Sequence, residues 1–293
     1  MFERLCIIGV GLIGGSIAKA ARAEGLCKQV VALGREKNLP NMRLALELGV
    51  IDAFYTDPAQ AMADTDCVII CTPVGSMQAI FEQLKPYWNS QTLYSDAGST
   101  KGSVVEAARA VFGKVPSNFV PAHPIAGAER SGVEAAKVDL YKNRRLILTP
   151  LPSTDPRAVD QFSAFWRRIG SSVAIMSVEH HDTVLAATSH LPHILAFALV
   201  GMLGRKDEQR EIFKYAAGGF RDFSRIASSD PTMWQDICLA NKQEIIPLIQ
   251  QFQAELNQVE HLLQNGDASA LFETFSYAKQ ARQRFLEIFD DPT

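Results

Sequence analysis

A glycine-rich stretch near the N-terminus, GVGLIG, has the G-x-G-x-x-G spacing that can bind the pyrophosphate of a dinucleotide. The pattern is informative here because it follows an apolar strand, opens a helix and begins a strand–helix–strand unit. In such a unit Gly9 makes the tight turn, Gly11 lets the backbone approach the phosphates, and Gly14 lets the helix pack close to the strand. Leu12 and Ile13 then lie at the helix N-terminus, which faces the anion. The sequence therefore predicts a dinucleotide-binding loop.

The end of the next strand, QVVALG, bears on the choice between NAD and NADP. Proteins that bind NAD normally have an acidic residue there, which contacts the adenosine ribose. Here Gly34 stands at about that position and Arg35 follows it, so that there is room and a planar cation for a 2′-phosphate. This favours NADP. NAD remains an alternative, in which Glu36 binds the ribose and Arg35 is a solvated surface charge.

Histidines that could take part in acid–base chemistry occur in two further stretches. His123 lies in PAHPIAGAERSG, at the carboxyl end of a predicted strand, where open α/β sheets bind their ligands. A neutral imidazole there can accept a proton, although a hydrogen-bonded structural histidine is the more ordinary interpretation of the residues alone. His190 and His193, in SHLPH, share a helix face. No third ligand stands at metal-binding spacing, so we predict no metal site.

Strands and helices alternate in the part of the chain that must position these groups. Apolar runs that indicate strands are RLCIIGVG, QVVALG, DCVIICTP, TLYSD and FVPA. Such runs, separated by amphipathic helices, are typical of a parallel sheet covered on both faces. RRLILTP and SSVAIMS are expected to extend the same sheet. We predict an α/β fold whose N-terminal, Rossmann-type dinucleotide-binding domain comprises residues 1–177.

The rest of the chain shows only helical patterns. They run from Glu179 to Met202 with a kink expected at Pro192, from Trp234 to Gln264 with a bend expected at Pro247, and from Ala268 to Phe289. Long helices that follow a completed sheet often pack against a partner subunit. We therefore predict an all-α C-terminal domain, residues 178–293, through which the protein forms a homodimer.

The composition excludes some classes of function. The chain has 293 residues and a formal net charge of −3, so no nucleic-acid partner is expected. Its five cysteines lack zinc-site spacing, which favours free thiols in a reducing cytoplasm. The stretch from Val184 to Leu203 is as long as a membrane span and has no charged residue. Because two histidines and a proline lie in its middle, we interpret it as a buried helix of a soluble protein and predict no membrane association.

The motifs together resemble the prephenate/arogenate dehydrogenase family of tyrosine biosynthesis over almost the whole chain. GVGLIGGS is followed in order by CTPV, DAGSTKG, HPIAGAERSG, SHLPH and GGFRDFSRIASSDPTMW. The resemblance implies an enzyme that oxidatively decarboxylates prephenate or L-arogenate to 4-hydroxyphenylpyruvate or tyrosine, with hydride transfer to NAD(P). It also implies that Cys71, Thr72 and Pro73 contact the cofactor.

The same resemblance assigns catalytic roles. It makes His123 the acceptor of the substrate's hydroxyl proton. It makes Ser99 a partner of that hydroxyl and of His123, close to the nicotinamide; the alternative role of Ser99 is a cap for the helix that starts near residue 102. Lys101 is expected to be a solvated lysine.

Several further residues are implied to contact the substrate. His193 is a candidate contact for its polar groups, with His190 and Ser189 as supporting residues. Trp234 either covers the pocket or belongs to the core.

Charged residues are expected to set the recognition of the substrate's carboxylates. Arg225 is the candidate anchor, because a guanidinium offers two parallel hydrogen bonds to a carboxylate. Arg221 and Asp222 either border the pocket or form a surface salt-bridge cluster. Glu129 is expected near the substrate side chain, but it does not discriminate between prephenate and arogenate.

Two other functions compete with this one. Hydroxyacid dehydrogenases with a Rossmann and a helical domain usually rely on a lysine of the helical domain, whereas this chain has SHLPH in that region. A non-catalytic NAD(P)-binding sensor would keep the glycine loop but have a degraded second half. The presence of His123, Ser99, His193 and Arg225 argues against the sensor.

Overall fold

A computed structural model describes residues 1–127, 130–206 and 211–290 of the chain. Its larger sheet has six parallel strands in the order β3-β2-β1-β4-β5-β6. These strands are β1 (Phe2–Ile8), β2 (Cys27–Leu33), β3 (Ala53–Tyr55), β4 (Cys67–Ile70), β5 (Leu93–Asp96) and β6 (Phe119–Val120). The order reverses between β1 and β4, and ligands bind at such a reversal, beyond the carboxyl ends of the strands.

Helices cover both faces of this sheet, as the apolar strand runs predict. Along β1, Leu5 and Ile7 pack into one hydrophobic cluster, and Cys6 and Ile8 pack into another. Successive side chains of a strand point to opposite faces, so the two clusters lie on opposite sides. The covering helices are α1 (Leu12–Ala23), α2 (Leu39–Glu47) and α6 (Pro156–Arg168) on one side, and α3 (Pro58–Met62), α4 (Met77–Leu84) and α5 (Gly102–Phe112) on the other.

A second, three-stranded sheet corrects one expectation. RRLILTP and SSVAIMS do not extend the parallel sheet; they contribute β8 (Arg145–Leu148) and β9 (Ser172–Ile175), which join β7 (Ala122–Pro124) in the order β7-β8-β9. The chain leaves the first sheet at Pro121, whose carbonyl accepts a hydrogen bond from Thr149 N at 2.9 Å. The next amide, of Ala122, donates to the Asp96 side chain at 3.1 Å. The chain therefore changes sheets immediately before His123.

All later elements in the described residues are helical. They are α7 (Val178–Leu185), a π-helical turn (Ala186–His190), α8 (Leu191–Lys206), α9 (Glu211–Lys214), α10 (Gly218–Ser224), a 3₁₀ turn (Arg225–Ser228), α11 (Pro231–Ala240), α12 (Lys242–Asn265) and α13 (Ala268–Asp290). Met1–Glu244 forms one compact unit, and Ile245 begins a second. The predicted domain boundary after residue 177 follows β9 directly.

Two helical patterns differ in detail from their predictions. The irregularity expected at Pro192 is a π-helical turn that lies just before it, where the missing proline N–H loosens the backbone hydrogen bonding. The pattern from Trp234 to Gln264 is two helices rather than one, because Asn241 leaves helical geometry and its side chain is buried. The second of these, α12, continues through Pro247.

The apolar stretch predicted to be buried is largely uncovered in the single chain. Val178–Lys206 is one continuous helical segment whose most apolar 18-residue window has a mean hydropathy of 1.6, but only 22% of that window is buried. In the described part of the chain it is the one helix whose length and composition would allow it to cross a membrane, which is weak evidence by itself.

A buried ion pair joins the two sheets, and it corrects the expectation of a solvated Lys101. The side chains of Lys101 and Asp96 are both 0% exposed, and the ammonium group donates to the Asp96 carboxylate. The ammonium group also donates to the carbonyl oxygen of Ala122 at 2.7 Å. Asp96 in turn accepts from the amides of Gly98 and Ala122, at 2.8 and 3.1 Å. The end of β5 is thus tied to the first residue of β7.

We predict that Lys101→Met lowers the free energy of unfolding by about 3–5 kcal/mol, because it leaves a buried carboxylate without its counter-charge. Urea denaturation at neutral pH measures the change. The matched control is Lys114→Met, which removes an exposed ammonium group. Equal stability of the two variants would contradict the assigned role of the ion pair.

Candidate active site

The glycine loop has the geometry that a dinucleotide requires. Gly9 has φ = +97°, and a side chain there would place its Cβ 2.8 Å from the carbonyl oxygen of Cys71. A Cβ on Gly14 would lie 2.3 Å from the Gly9 carbonyl oxygen, so α1 can pack this close only with glycine. By contrast, a Cβ on Gly11 would meet no other heavy atom within 4 Å. A tight turn, a close helix and an open approach to the backbone fit the pyrophosphate of NAD(P).

A cavity of about 630 Å³ lies beside this loop, at the reversal point of the parallel sheet. It is lined by three loops at strand ends, by the segment after β7 and by the start of α11: Gly11–Ile13, Cys71–Val74, Ala97–Ser99, Arg130–Gly132 and Ser228–Met233. The predicted cofactor residues Gly11, Leu12, Ile13, Cys71, Thr72, Pro73 and Ser99 are therefore brought together. The helical region closes one side, where the amide of Gly75 donates to Asp236 at 3.3 Å.

The residues expected to select the cofactor lie at the end of β2, outside the lining of this cavity. Arg35 and Glu36 are exposed, and neither has an ion-pair partner within 4.0 Å among the described residues. A Cβ on Gly34 would lie 2.5 Å from the sulfur of Met42. A side chain at Gly34 would therefore require the flexible end of the Met42 side chain to shift.

His123 lies in the middle of β7, opposite Ile147 of β8, and is partly buried. Its Nδ1 atom is 2.9 Å from Nε2 of His181, on α7. Its own Nε2 atom has no hydrogen bond to the part of the chain that the structure describes. The backbone of Ala122, the preceding residue, is held by Asp96 and Lys101, which flank the segment containing Ser99. The same ion pair therefore holds the residue before His123 and the two ends of the segment that contains Ser99.

Two residues of this arrangement, His181 and Asp182, were missed at the level of sequence. His181 Nδ1 lies 2.7 Å from Oδ1 of Asp182. The Asp182 carboxylate accepts hydrogen bonds from the amides of Lys101 and Gly102, both at 2.8 Å, and so caps the N-terminus of α5. That cap was an alternative role for Ser99. The tripeptide HHD at 180–182, which opens a helix near the catalytic stretch, was the available signal.

The helical region brings together a second group of predicted residues. The ring of His193 stacks on Trp234, with centroids 3.8 Å apart, and its Nδ1 donates to the carbonyl oxygen of Ser189 at 2.8 Å. His190 is 1% exposed and its Nδ1 accepts from Asn241 at 3.2 Å. Trp234 is also buried, at 7% exposure, so it belongs to the core and at the same time fixes the ring of His193. No cluster suited to a metal ion occurs in residues 1–127, 130–206 and 211–290.

The charged residues of the helical region that are predicted to bind substrate are exposed. Arg225 begins the 3₁₀ turn and is exposed, but it lies near enough to His193 that its charge lowers the pKa of that histidine, after burial, which is the larger cause. Arg221 and Asp222 are exposed on α10. Glu129 lies outside the described residues.

Comparison with known proteins identifies the family. The family model for the prephenate dehydrogenase nucleotide-binding domain matches residues 17–175, and that for the prephenate dehydrogenase dimerization domain matches residues 177–277. A cyclohexadienyl dehydrogenase from Zymomonas mobilis is 36% identical, with 96% of each chain covered. A Bacillus subtilis prephenate dehydrogenase is 38% identical, over 96% of this chain and 76% of the relative. The chain belongs to the prephenate dehydrogenase family.

Solved structures of the family have the same fold. A prephenate dehydrogenase from Aquifex aeolicus, in complex with hydroxyphenyl propionate and NAD+, has 35% identity and a TM-score of 0.90, over 97% of this chain and 99% of that one. An arogenate dehydrogenase from Synechocystis, with 24% identity and a TM-score of 0.77, shows the fold alone. The predicted Rossmann-type domain followed by a helical domain is therefore confirmed.

In this member of the prephenate dehydrogenase family, burial keeps the central histidines neutral. Burial lowers the pKa of His123 well below 6.5, and the charge of Lys101 and any charge that His181 or His190 gains on protonation act in the same direction. Burial also lowers the pKa of His181, and it lowers that of His190 to about 4. A neutral imidazole has one basic nitrogen, so His123 can accept a proton at neutral pH.

Proposed function

We propose that this protein is an NAD(P)-dependent dehydrogenase that oxidatively decarboxylates prephenate, L-arogenate or both. The observation that carries the proposal is the environment of His123, a neutral imidazole on β7. Asp96 and Lys101 bind the residue before it, and the cavity-lining Ser99 lies between these two residues in sequence. Nδ1 of His123 is occupied by His181, and its Nε2 has no partner among the described residues. The names of the relatives, and the NAD+ and hydroxyphenyl propionate held by the Aquifex aeolicus enzyme, support this assignment.

The chain's own task in this reaction is to move one proton and to orient the ring. The bound nicotinamide supplies the hydride acceptor. His123 Nε2 accepts the proton of the substrate's ring hydroxyl group as the hydride leaves the ring carbon that bears this hydroxyl group. The ring carboxylate departs as carbon dioxide and its bonding electrons enter the ring. The resulting phenolate oxygen takes the proton back from His123, so the product is a neutral phenol.

Binding of the substrate is assigned to one residue that lines the cavity and to several residues of the helical region. Ser99 lines the cavity, and we assign to it a hydrogen bond to the hydroxyl group next to the nicotinamide. Arg225 is assigned to a carboxylate, for which its planar fork is suited. His193, whose ring is held by Trp234, is assigned to the polar groups of the substrate side chain, with His190 and Ser189 in support. Arg221 and Asp222 are kept as further candidates that border the pocket, and Glu129 as a candidate contact of the substrate side chain.

NADP is the proposed cofactor. Support comes from the exposed guanidinium of Arg35, which has no ion-pair partner in the described chain, and from the glycine at position 34. A cation free to bind a 2′-phosphate, and a glycine where NAD-binding proteins normally have an acidic residue, together favour NADP over NAD.

We further infer a cytoplasmic homodimer with a dinucleotide-binding domain over residues 1–177 and a helical domain over residues 178–293. Helices α12 and α13 expose large apolar side chains, among them Leu263 (63%), Phe272 (73%) and Tyr277 (68%). Exposed apolar surface of this kind favours a protein partner. The matching family model is that of a dimerization domain, which favours a second copy of the chain. Five free cysteines are in keeping with a reducing compartment.

We expect His123→Asn to lower kcat by about 10²–10⁴, because the general base is lost, with a milder effect on the substrate KM. Reduction of NADP, followed by absorbance with prephenate and with L-arogenate offered separately, measures both constants. In the parent enzyme the acid limb of kcat/KM should lie below pH 6.5, because the base has a lowered pKa and stays neutral until the pH falls beneath it.

The matched control is His180→Asn, at an exposed histidine. Turnover of His123→Asn close to that of the control would end the assignment of His123. Failure of the parent to turn over either substrate would end the proposed function.

Replacement of Arg35 by alanine should raise the KM for NADP about tenfold or more, which corresponds to the loss of a hydrogen bond to a charged group, and leave the KM for NAD nearly unchanged. Lys28→Ala removes an exposed cation at the opposite end of β2 and serves as the control. A parent enzyme that prefers NAD, or an equal effect of the two variants, would refute the NADP assignment.

Sedimentation equilibrium should give about twice the chain mass of 32.2 kDa. Phe272→Glu, which places a charge on the apolar surface of α13, should shift the protein toward monomer. Tyr87→Glu, at an exposed aromatic residue elsewhere, should not. A monomeric parent would contradict the homodimer.

A further inference from the structure

We propose that His181, oriented by Asp182, is a positioning residue that holds His123 as the tautomer protonated at Nδ1 and thereby makes Nε2 the basic atom. The inference rests on the proposed function, in which His123 is the base. It adds to that function the reason why Nε2 of His123, and not Nδ1, accepts the substrate proton.

The first step is the orientation of Asp182, which the backbone fixes. Its two carboxylate oxygens accept the amides of Lys101 and Gly102 at the start of α5. Its main-chain carbonyl oxygen accepts from the side chain of Asn241 at 2.9 Å. Burial alone would raise the pKa of Asp182, but the hydrogen bonds from His181 and from the two amides outweigh it and lower the pKa. Asp182 is therefore an ionised carboxylate that can only accept hydrogen bonds.

The second step assigns the proton of His181. Its Nδ1 lies 2.7 Å from Oδ1 of Asp182, so Nδ1 must carry the hydrogen of this bond. Because burial keeps His181 neutral, its Nε2 then has a lone pair and no proton. His181 is consequently an acceptor toward His123.

The third step assigns the proton of His123. Its Nδ1 is 2.9 Å from His181 Nε2, which holds the lone pair. Two lone pairs cannot form a hydrogen bond with each other, so His123 Nδ1 carries the hydrogen. The remaining nitrogen, Nε2, holds the lone pair. When it accepts a proton, the new positive charge lies at the end of a chain that terminates in the Asp182 carboxylate. A carboxylate behind a histidine is known to act in this way on tautomer and orientation.

This arrangement has a competing, purely structural interpretation, in which Asp182 is only a helix cap and His181 only fills space. The two interpretations differ in what they demand of the proton on His123. If Asp182 is only a helix cap, the His123 proton can be on either ring nitrogen. If His181 is a positioning residue, the proton must be on Nδ1.

The direct test is the tautomer of His123 in the full-length protein bound to NADP+. Two-bond ¹H–¹⁵N correlations of ¹⁵N-histidine-labelled protein at neutral pH distinguish a ring protonated at Nδ1 from one protonated at Nε2. The chain has six histidines, and the signals that disappear in His123→Asn and His181→Gln give the assignments. Protonation of both rings at Nδ1 is expected, and a proton on Nε2 of His123 would overturn the proposal. No substrate is present, so this result does not depend on which substrate the enzyme accepts.

A pair of variants tests the consequence for turnover. His181→Leu removes the acceptor and should lower kcat about 100-fold or more, with the substrate KM changed by less than about threefold. His181→Gln retains a carbonyl acceptor for His123 Nδ1 and should recover at least about tenfold of that loss. His180→Leu makes the same change at the adjacent exposed position and should match the parent.

Equal kcat values for His181→Leu and His181→Gln would overturn the positioning role, because the retained acceptor would then make no difference. Thermal unfolding and NADP affinity of each variant establish that the protein is folded. If His181→Leu does not fold, the tautomer measurement on the parent decides. If the tautomers are as expected but neither prephenate nor arogenate is turned over, the proposed function fails while the arrangement of the histidines stands.

Discussion

The buried contact between Lys101, Asp96 and the backbone of Ala122 is the constraint on which the rest of the site depends. Both charged side chains are fully buried, and between them they bind the amide and the carbonyl of one residue. That residue starts the second sheet and directly precedes His123. A buried pair of this kind costs desolvation and is weak evidence for stability, but its geometry can specify a single arrangement of the chain. Here it specifies where the chain leaves the parallel sheet and enters β7.

Two further features of the fold, the strand order of the parallel sheet and the position of helix α7, contribute to the same site. The reversal of strand order beside β1 brings together the glycine loop and the loops that follow β4 and β5, so that Ser99 lines the same cavity as Gly11. Helix α7 then brings His181 and Asp182 against β7 and α5, where one carboxylate caps a helix and orients a histidine at once. Positioning groups on strand ends and helix termini, rather than on long loops, limits their freedom and favours proton transfer.

Local patterns predicted the parts of this structure that depend on neighbours in sequence. Apolar runs and the glycine spacing indicated the parallel sheet and the loop around Gly9. They placed His123 at the end of a strand, whereas it lies in the middle of β7. They did not indicate the second sheet, because β8 and β9 are as apolar as the parallel strands. What separates them is the turn at Pro121 and the capture of the Ala122 amide by Asp96. The environment of Lys101 was missed for the same reason, since its partners come from β5 and β7.

Helical periodicity was informative about the existence of helices and less so about their breaks. Nothing in the run from Trp234 to Gln264 shows that Asn241 turns inward to bond Asp182 and His190, which lie more than fifty residues away in sequence. The apolar run predicted to be buried is mostly uncovered in one chain, because a pattern reports that a face is apolar and not which molecule covers it.

The most direct test of the central claim is the structure of the protein with NADP and 4-hydroxyphenylpyruvate bound. We predict that Nε2 of His123 lies within hydrogen-bonding reach, roughly 2.6–3.2 Å, of the phenol oxygen. A phenol oxygen bound by other groups, with His123 Nε2 well beyond that distance and no bridging water, would contradict the account.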